Sequence, residues 1–305
     1  MKHFLTLQDI DQQQAAYLLQ RCAQLKTKVK QGEVHHSLAG KMLALIFDKA
    51  STRTRVSFET GMFQLGGSTM FLDAQATQIG RGEPIEDSSR VISSMVDVIA
   101  IRTHEHSIIQ RFADYSKVPV INALTELAHP CQILADVFTY VEHRGDIHSK
   151  TVCWVGDGNN MLHSWINAAA LFGYRMQIAC PENYMPDADV VAQAKLLGAD
   201  IEITTDPLEA ATGADLVSTD VWASMGHEQE QAQRVAAFAN YQVNTAVMQQ
   251  ADHAAIFMHC LPAHRGEEVS AAVIDGQQSV VWDEAENRLH VQKALLEYLL
   301  IGEQA

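Results

Sequence analysis

Short apolar segments of strand length alternate with segments of helical periodicity along most of the chain. The apolar segments are residues 42–47, 96–101, 118–123, 151–155, 176–180, 201–204, 216–219 and 256–259. Several of them lack polar alternation, which is typical of strands that helices cover on both faces. The pattern predicts an α/β fold in which each sheet is mainly parallel and flanked by helices.

The length of 305 residues and the hydrophobic content of 47% predict two domains, each with its own core. A polar break at residues 143–150 marks the boundary. We expect the last helical stretch to return to the first domain. The predicted domains are residues 1–143 plus 289–305, and residues 150–288. Functional loops belong at the carboxyl ends of parallel strands, and the interdomain cleft is the default active site.

Charge and composition narrow the class of partners. The formal net charge of -15 argues against a nucleic acid or an anionic membrane as the main partner. No apolar run approaches the roughly 20 residues that span a bilayer, and the chain turns polar too early for a signal peptide. The five cysteines are scattered without a CxxC pair, which fits reduced thiols. We therefore expect a cytoplasmic protein in which an anionic substrate needs a locally basic pocket.

The run Ser51-Thr52-Arg53-Thr54-Arg55 follows the first apolar segment and opens a stretch of helical spacing. The first amides of a helix lack backbone partners and carry the positive end of its dipole, which suits phosphate. Arginine adds a fork of donors that matches a tetrahedral oxyanion. Two arginines on a helix more often form a solvated face, but the position at a strand-to-helix turn favours an anion site.

Two further polar segments follow later predicted strands. They are Arg102-Thr103-His104 and His129-Pro130-Cys131-Gln132, and the proline of the second suits the first turn of a helix. His129 and Gln132, three residues apart, share one face of that helix. Parallel strands would bring both segments to the same rim as Arg53 and Arg55, giving an oxyanion-stabilising set of donors. The alternative for His129 is a helix cap or a core histidine.

A glycine-hinged polar loop, residues 73–83, contains Gln78. Loops of this kind cover binding sites. The alternative is an ordinary solvent-exposed loop.

In the second half, Gly156-Asp157-Gly158-Asn159-Asn160 follows a predicted strand and resembles a dinucleotide motif, but Met161 replaces the third glycine. The nicotinamide hypothesis is therefore weak. An asparagine at the opening of the next helix could hold the carboxylate or ammonium of a small amino acid, or could simply cap the helix. Asp220 follows the strand at residues 216–219 and could bind a cationic group.

The segment His259-Cys260-Leu261-Pro262 follows the last predicted strand, with His264 close behind. Zinc is a weak hypothesis because the cluster lacks the usual ligand spacing and a clear fourth ligand. A thiol nucleophile would need a base and a lowered pKa. We favour Cys260 as a partner of Asp220 around an attacking amine.

Taken in order, these motifs resemble the aspartate/ornithine carbamoyltransferase family, and its ornithine branch in particular. Relatives that use aspartate share the phosphate half but are not expected to carry Ser224-Met225-Gly226 together with His259-Cys260-Leu261-Pro262. The resemblance covers most of the chain.

The resemblance implies a carbamoyl phosphate domain and an ornithine domain. The expected reaction moves the carbamoyl group of carbamoyl phosphate to the side-chain amine of L-ornithine, giving L-citrulline and phosphate in arginine metabolism. It also implies a homotrimer, or an assembly of trimers, in which Gln78 reaches a neighbouring subunit's site. No cofactor and no metal are expected.

The resemblance assigns roles to the matched positions. The expected carbamoyl phosphate-binding residues are Ser51, Thr52, Arg53, Thr54, Gln78, Arg102, His129, Gln132 and Arg288. The expected ornithine-binding residues are Asn160, Asp220, Ser224, Met225, Cys260 and Leu261. The expected catalytic residues are Arg102, His129, Asp220 and Cys260. Two alternatives are a carbamoyltransferase for another amine, such as putrescine, and a non-enzymatic amino-acid sensor.

Overall fold

The computed structural model describes residues 2–49, 51–74, 82–223 and 231–304. The chain divides into two compact units, one comprising Met1–Phe138 with Glu286–Ala305 and the other Thr139–Ala285. Each unit contains a parallel sheet with helices. The predicted α/β fold with two parallel-sheet domains is confirmed.

Within the described ranges, strands and helices alternate. The strands are β1 (Met42–Phe47), β2 (Ser68–Asp73), β3 (Val98–Arg102), β4 (Val120–Leu124), β5 (Thr151–Val155), β6 (Arg175–Ala179), β7 (Asp200–Thr204), β8 (Leu216–Thr219) and β9 (Ile256–His259). The helices are α1 (Gln12–Lys30), α2 (Thr52–Gln64), α3 (Ile85–Ile92), α4 (His106–Tyr115), α5 (Pro130–Arg144), α6 (Asn160–Phe172), α7 (Ala188–Leu196), α8 (Pro207–Ala211), α9 (Gln231–Ala237), α10 (Thr245–Gln250), α11 (Ala271–Ile274) and α12 (Val281–Ile301). None of these helices combines the length and the apolar character that crossing a bilayer requires.

The sheet of the first unit has the strand order β2-β1-β3-β4, with all neighbours parallel. Phe47 at the end of β1 is in register with Arg102 at the end of β3. β3 pairs with β4 from Ile99 and Val120 onward, with a shift in register between Ile101 and Arg102, so that Arg102 lies opposite Leu124. The segments that follow β1, β3 and β4 therefore leave the sheet at one edge, where the polar motifs of the first half were expected.

The strand β2 was not predicted from the sequence. Its exposure alternates, with Ser68 and Met70 exposed, because it is an edge strand of the sheet. A search for continuous apolar runs finds strands that are buried on both faces and overlooks one of this kind.

The sheet of the second unit has the order β7-β6-β5-β8-β9 and is also parallel throughout. Its core contains side chains from β5, β8 and β9, including Val155, Val217 and Phe257. Because β8 lies between β5 and β9, the segments after these three strands emerge side by side. That arrangement gathers the glycine motif, Asp220 and Cys260 at one edge.

Candidate active site

The predicted anion-binding motif, Ser51 to Arg55, forms the N-cap and first turn of α2. Ser51 is the N-cap residue, with extended backbone, and Thr52 is the first helical residue. The first turn contains no acidic side chain, so the positive end of the helix dipole is not neutralised from within the helix. This helix start keeps the character expected of a phosphate site.

In the first unit, the buried His129 has a pKa that three nearby guanidinium groups help to lower. Burial is the main reason that the pKa of His129 lies well below its ordinary value of 6.5. The charges of Arg288, Arg102 and Arg53, in that order, lower this pKa further. The imidazole is therefore neutral at physiological pH. Nη2 of Arg288 also donates to Oγ1 of Thr54 at 2.8 Å, which ties α12 to the first turn of α2.

His129 precedes α5, and Pro130 occupies the first position of that helix. One turn further, Nε2 of Gln132 donates to Oδ1 of Asp136 at 2.8 Å. Asp136 is buried and orients the Gln132 amide. Asp136 was not predicted from the sequence, although its position four residues after Gln132 on the same helix face was a usable signal.

Arg55 does not join this group, which corrects the expectation that Arg53 and Arg55 share one rim. Nε of Arg55 donates to Oε1 of Glu59 at 2.8 Å, and its guanidinium lies 4.0 Å from the centroid of the Phe71 ring. Residues two positions apart on a helix lie on nearly opposite faces, which explains why Arg55 is separated from Arg53. Gln78, also predicted for the site, lies outside the described residues.

In the second unit, Asp220 follows β8 and is buried. Its Oδ2 accepts from Nδ2 of Asn159 at 2.8 Å, and its Oδ1 accepts from the backbone N–H of Val221 at 2.8 Å and from Sγ of Cys260 at 3.3 Å. Burial raises the pKa of Asp220, while the hydrogen bonds from Val221, Cys260 and Asn159 oppose the rise. A carboxylate of raised pKa can hold an amine and take up its proton.

The glycine motif serves packing and helix capping. A Cβ at Gly158 would lie 2.4 Å from backbone atoms of Met185, so only glycine fits there. Asn159 caps α6, its Oδ1 accepting from the backbone N–H groups of Met161 and Leu162. Asn160 is the first residue of α6. The capping alternative therefore applies to Asn159, which the sequence alone did not distinguish from Asn160.

His259 holds the backbone beside Cys260. The backbone N–H of Leu261 donates to Nδ1 of His259 at 2.9 Å, which assigns the imidazole proton to Nε2. That Nε2–H donates to Oε1 of the fully buried Glu268 at 3.0 Å. Glu268 was not predicted, because a glutamate eight residues after the cysteine carries no pattern that indicates burial.

Asp220, His259 and Cys260 place potential metal-ligand atoms within 4.8 Å of one another. Both ring nitrogens of His259 are already hydrogen-bonded, and Cys260 bonds Asp220. Hydrogen bonds within the site therefore account for the closeness of these three side chains. Ser224 and Met225, also predicted for the ornithine site, lie outside the described residues.

Arg234 joins two loops that flank Asp220. Its Nε donates to the carbonyl oxygen of Trp222, and its Nη2 forms an ion pair with Oδ2 of Asp157. The guanidinium lies 4.7 Å from the centroid of the Tyr184 ring. This buried contact fixes the glycine motif and the segment after β8 to α9.

The family comparisons agree with this division of polar groups. The model for the carbamoyl-P binding domain of aspartate/ornithine carbamoyltransferase matches residues 2–142, and the model for its Asp/Orn binding domain matches residues 148–299. The chain belongs to the aspartate/ornithine carbamoyltransferase family. The resemblance inferred from the motifs is confirmed.

Relatives within the carbamoyltransferase family are similar over their whole length. Ornithine carbamoyltransferase from Hydrogenovibrio crunogenus is 58% identical over 300 residues, which cover 98% of each chain. The structure of ornithine carbamoyltransferase from Burkholderia thailandensis has a TM-score of 0.92 at 54% identity, covering 99% of this chain and 100% of that one. The structure of the Pyrococcus furiosus enzyme has a TM-score of 0.95 at 46% identity, covering 99% and 97%.

Proposed function

We infer that this chain is an ornithine carbamoyltransferase, which transfers the carbamoyl group of carbamoyl phosphate to the side-chain amine of L-ornithine and releases L-citrulline and phosphate. The observation that carries this function is the buried neutral His129 among three guanidiniums near the start of α2. It offers cationic donors to the phosphoryl group and a neutral donor to the carbamoyl group. The similarity to ornithine carbamoyltransferases supports the same reaction.

Asp220 favours ornithine over aspartate as the acceptor. A buried carboxylate attracts an amine at the end of a side chain, whereas it would repel the side-chain carboxylate of aspartate. Cys260 and Asn159 hold this carboxylate in place. We assign ornithine binding to Asn160, Asp220, Cys260 and Leu261, and to Ser224 and Met225 from the family resemblance.

The phosphate-binding residues in this proposal are Ser51, Thr52, Arg53 and Thr54 with Arg288, and Gln78 by family resemblance. Arg102, His129 and Gln132 bind the carbamoyl oxygen and amide. The first unit thus acts as the carbamoyl phosphate domain and the second as the ornithine domain.

Transfer begins when the neutral side-chain amine of ornithine attacks the carbamoyl carbon. The carbonyl oxygen becomes an oxyanion, which Arg102, His129 and Thr54 stabilise by hydrogen bonding. The C–O bond to phosphate then breaks, phosphate leaves with the bonding pair, and the nitrogen loses a proton to Asp220 or to the departing phosphate. Arg53 and Arg288 bind the charge that develops on phosphate.

We also propose a cytoplasmic homotrimer, or an assembly of trimers, that works in arginine metabolism. Two exposed apolar side chains on α2, Val56 and Phe63, support an interface there, since they are seven residues apart on one helix face. The five cysteines, all of which the structure describes, form no disulfide, which fits a reducing compartment.

The test is an assay of carbamoyl transfer by the purified protein with three acceptors, L-ornithine, putrescine and L-aspartate, in which phosphate release and the carbamoylated form of each acceptor are measured. We expect turnover with ornithine to exceed that with either alternative. Faster turnover of putrescine would reassign the acceptor, because putrescine lacks the amino-acid carboxylate. Ligand binding without turnover of any acceptor would indicate a sensor instead.

A further inference from the structure

Asp48, the residue that follows β1, makes contacts that the proposed chemistry does not use. Its Oδ2 accepts from Oγ1 of Thr103 at 2.8 Å and from the backbone N–H of His104 at 3.1 Å. Its own backbone N–H donates to the carbonyl oxygen of Arg102 at 3.0 Å. Three hydrogen bonds therefore connect one residue to the turn that begins with Arg102.

The other side of that turn is held by the end of β4. The backbone N–H of Thr103 donates to the carbonyl oxygen of Leu124 at 3.1 Å, and the N–H of Glu126 donates to the carbonyl oxygen of His104 at 2.9 Å. These bonds on the β4 side are between neutral backbone groups. The bonds to Asp48 end on a carboxylate oxygen, and charge-assisted hydrogen bonds of this kind are the stronger ones.

A strong anchor is needed because the turn carries a positive side chain toward other positive side chains. The charges of Arg102, Arg53 and Arg288 all lower the pKa of His129, which means that the three guanidiniums are grouped around it. Before an anion binds, these like charges repel one another. Without a fixed turn, Arg102 could relieve this repulsion by moving away. The carboxylate of Asp48 opposes that movement by holding the backbone directly after Arg102.

We propose that Asp48 is a positioning residue that holds Arg102 in place for the carbamoyl oxygen. This inference rests on the proposed function, because it takes over the role of Arg102 given above. Through Arg102, Asp48 affects how well the carbamoyl end of the substrate is bound, whereas the phosphate end is bound at the start of α2.

Two probes separate these ends by titration calorimetry. Phosphonoacetamide is a stable analogue with both the phosphoryl and the carbamoyl groups, and inorganic phosphate has only the first. In Asp48→Ala we expect about 10-fold weaker binding of phosphonoacetamide, with phosphate affinity unchanged. The kcat/KM for carbamoyl phosphate should fall by about 10²-fold, the cost of a small misplacement of a catalytic group.

Two further variants test the hydrogen bonds themselves. Asp48→Asn keeps a carbonyl oxygen that can accept both bonds but lacks the charge that strengthens them, so it should recover part of the lost activity. Thr103→Val removes one bond and should give a smaller loss. Because Asp48→Ala already removes the same bond, adding Thr103→Val to it should cause little extra loss.

Asp97→Ala is the matched control, since Asp97 also joins β1 to β3, at the other end of these strands. Its Oδ2 accepts from the backbone N–H of Met42 at 2.8 Å, and its Oδ1 pairs with Lys41 at 2.9 Å. We expect Asp97→Ala to lower thermal stability without changing the ratio of the two probe affinities.

Equal weakening of the binding of both probes by Asp48→Ala, or the same result for Asp48→Ala and Asp97→Ala, would overturn the proposal. Wild-type protein that forms no citrulline would refute the proposed function instead, and the two-probe comparison would still decide the role of Asp48.

Discussion

At the scale of single residues, the surroundings of a side chain decide its chemistry. His129 is neutral because it is buried and faces three guanidiniums, and Asp220 has a raised pKa chiefly because it is buried. Neither property can be read from the residue type. The sequence indicated that both lie at strand ends, and the structure adds the charges around them.

The rate should depend on pH through the protonation of the attacking amine. The attacking amine must be neutral, and a free alkylamine has a pKa of about 10.4, as in lysine. The kcat/KM for ornithine should therefore rise with pH between about 6 and 9. Because the pKa of His129 is lowered well below 6.5, its titration should add no inflection near that pH. Initial rates across this range test the prediction. An inflection near neutrality that disappears in His129→Gln would contradict it.

Arg53 and Arg55 provide a matched pair on α2. Arg53→Ala should lower the kcat/KM for carbamoyl phosphate by about 10²- to 10³-fold, the typical loss for an oxyanion contact. Arg55→Ala should have a much smaller effect, because Arg55 pairs with Glu59 on the exposed face. Steady-state kinetics of both variants decide the matter. Comparable losses would show that the two arginines are not separated in function.

Cys260→Ser tests the amine site. Serine keeps a donor toward Asp220 but is smaller and less polarisable, so we expect the KM for ornithine to rise by about 10-fold. Binding of phosphonoacetamide, measured without ornithine, should not change. A parallel loss of both would place Cys260 outside the amine site.

At the scale of elements, the sequence predicted best those strands that are buried on both faces. The bounds of β1, β5, β8 and β9 agree with the apolar runs at both ends. The bounds of β3 and β4 shift by one or two residues, and β3 extends past its apolar run to include the polar Arg102. The edge strand β2 escaped prediction because its pattern is half polar.

Polar residues that support the site were harder to find. Glu268 and Arg234 are buried, yet no periodic or motif signal distinguishes them from exposed residues of the same type, whereas the spacing of Asp136 from Gln132 was a signal that could have been used. Arg288 entered through family resemblance, since its contact with Thr54 joins positions far apart in the chain. Such contacts depend on the fold as a whole, so local patterns do not reveal them.

Arg234→Ala tests the tie between the loops beside Asp220. It would leave the buried carboxylate of Asp157 without its ion-pair partner, which typically costs about 3–5 kcal/mol of unfolding free energy. Arg265→Ala is the control, because Arg265 pairs with Asp275 at the surface and its loss should matter little. Urea-induced unfolding of the two variants provides the comparison. Equal stability would mean that the buried pair does not hold the loops.

At the scale of the whole molecule, the ends of the chain meet in the first unit. Glu297 on α12 is fully buried and accepts from Nε of Arg21 on α1 at 2.7 Å. His35 and Ser37 also contact its Oε1. This cluster joins α1 to the helix that carries Arg288, so a site residue depends on contacts several turns away.

The cluster predicts a loss of stability in acid. Burial alone would raise the pKa of Glu297, but the hydrogen bonds from Arg21, Ser37 and His35 outweigh it, and the pKa lies below the ordinary 4.5. Glu297 therefore stabilises the fold above pH 4.5, and this contribution disappears as pH falls through the lowered pKa of the folded state. Glu297→Gln should have a lower melting temperature than wild type at pH 7, with the difference shrinking in acid. A difference that is constant with pH would contradict this assignment.

The overall charge of -15 contrasts with the cationic group around His129. An acidic protein that binds a dianion must concentrate its positive charge in one place, and the starts of α2 and α5 do so. The proposed function depends most on this concentration of positive charge, because the departure of phosphate requires it.

Single-turnover transfer from radiolabelled carbamoyl phosphate tests the claim most directly. With wild-type protein and L-ornithine, the label should appear in citrulline with one phosphate released for each citrulline formed, and Arg53→Ala should slow both together. Release of phosphate without label in citrulline, or transfer at an undiminished rate by Arg53→Ala, would contradict the account.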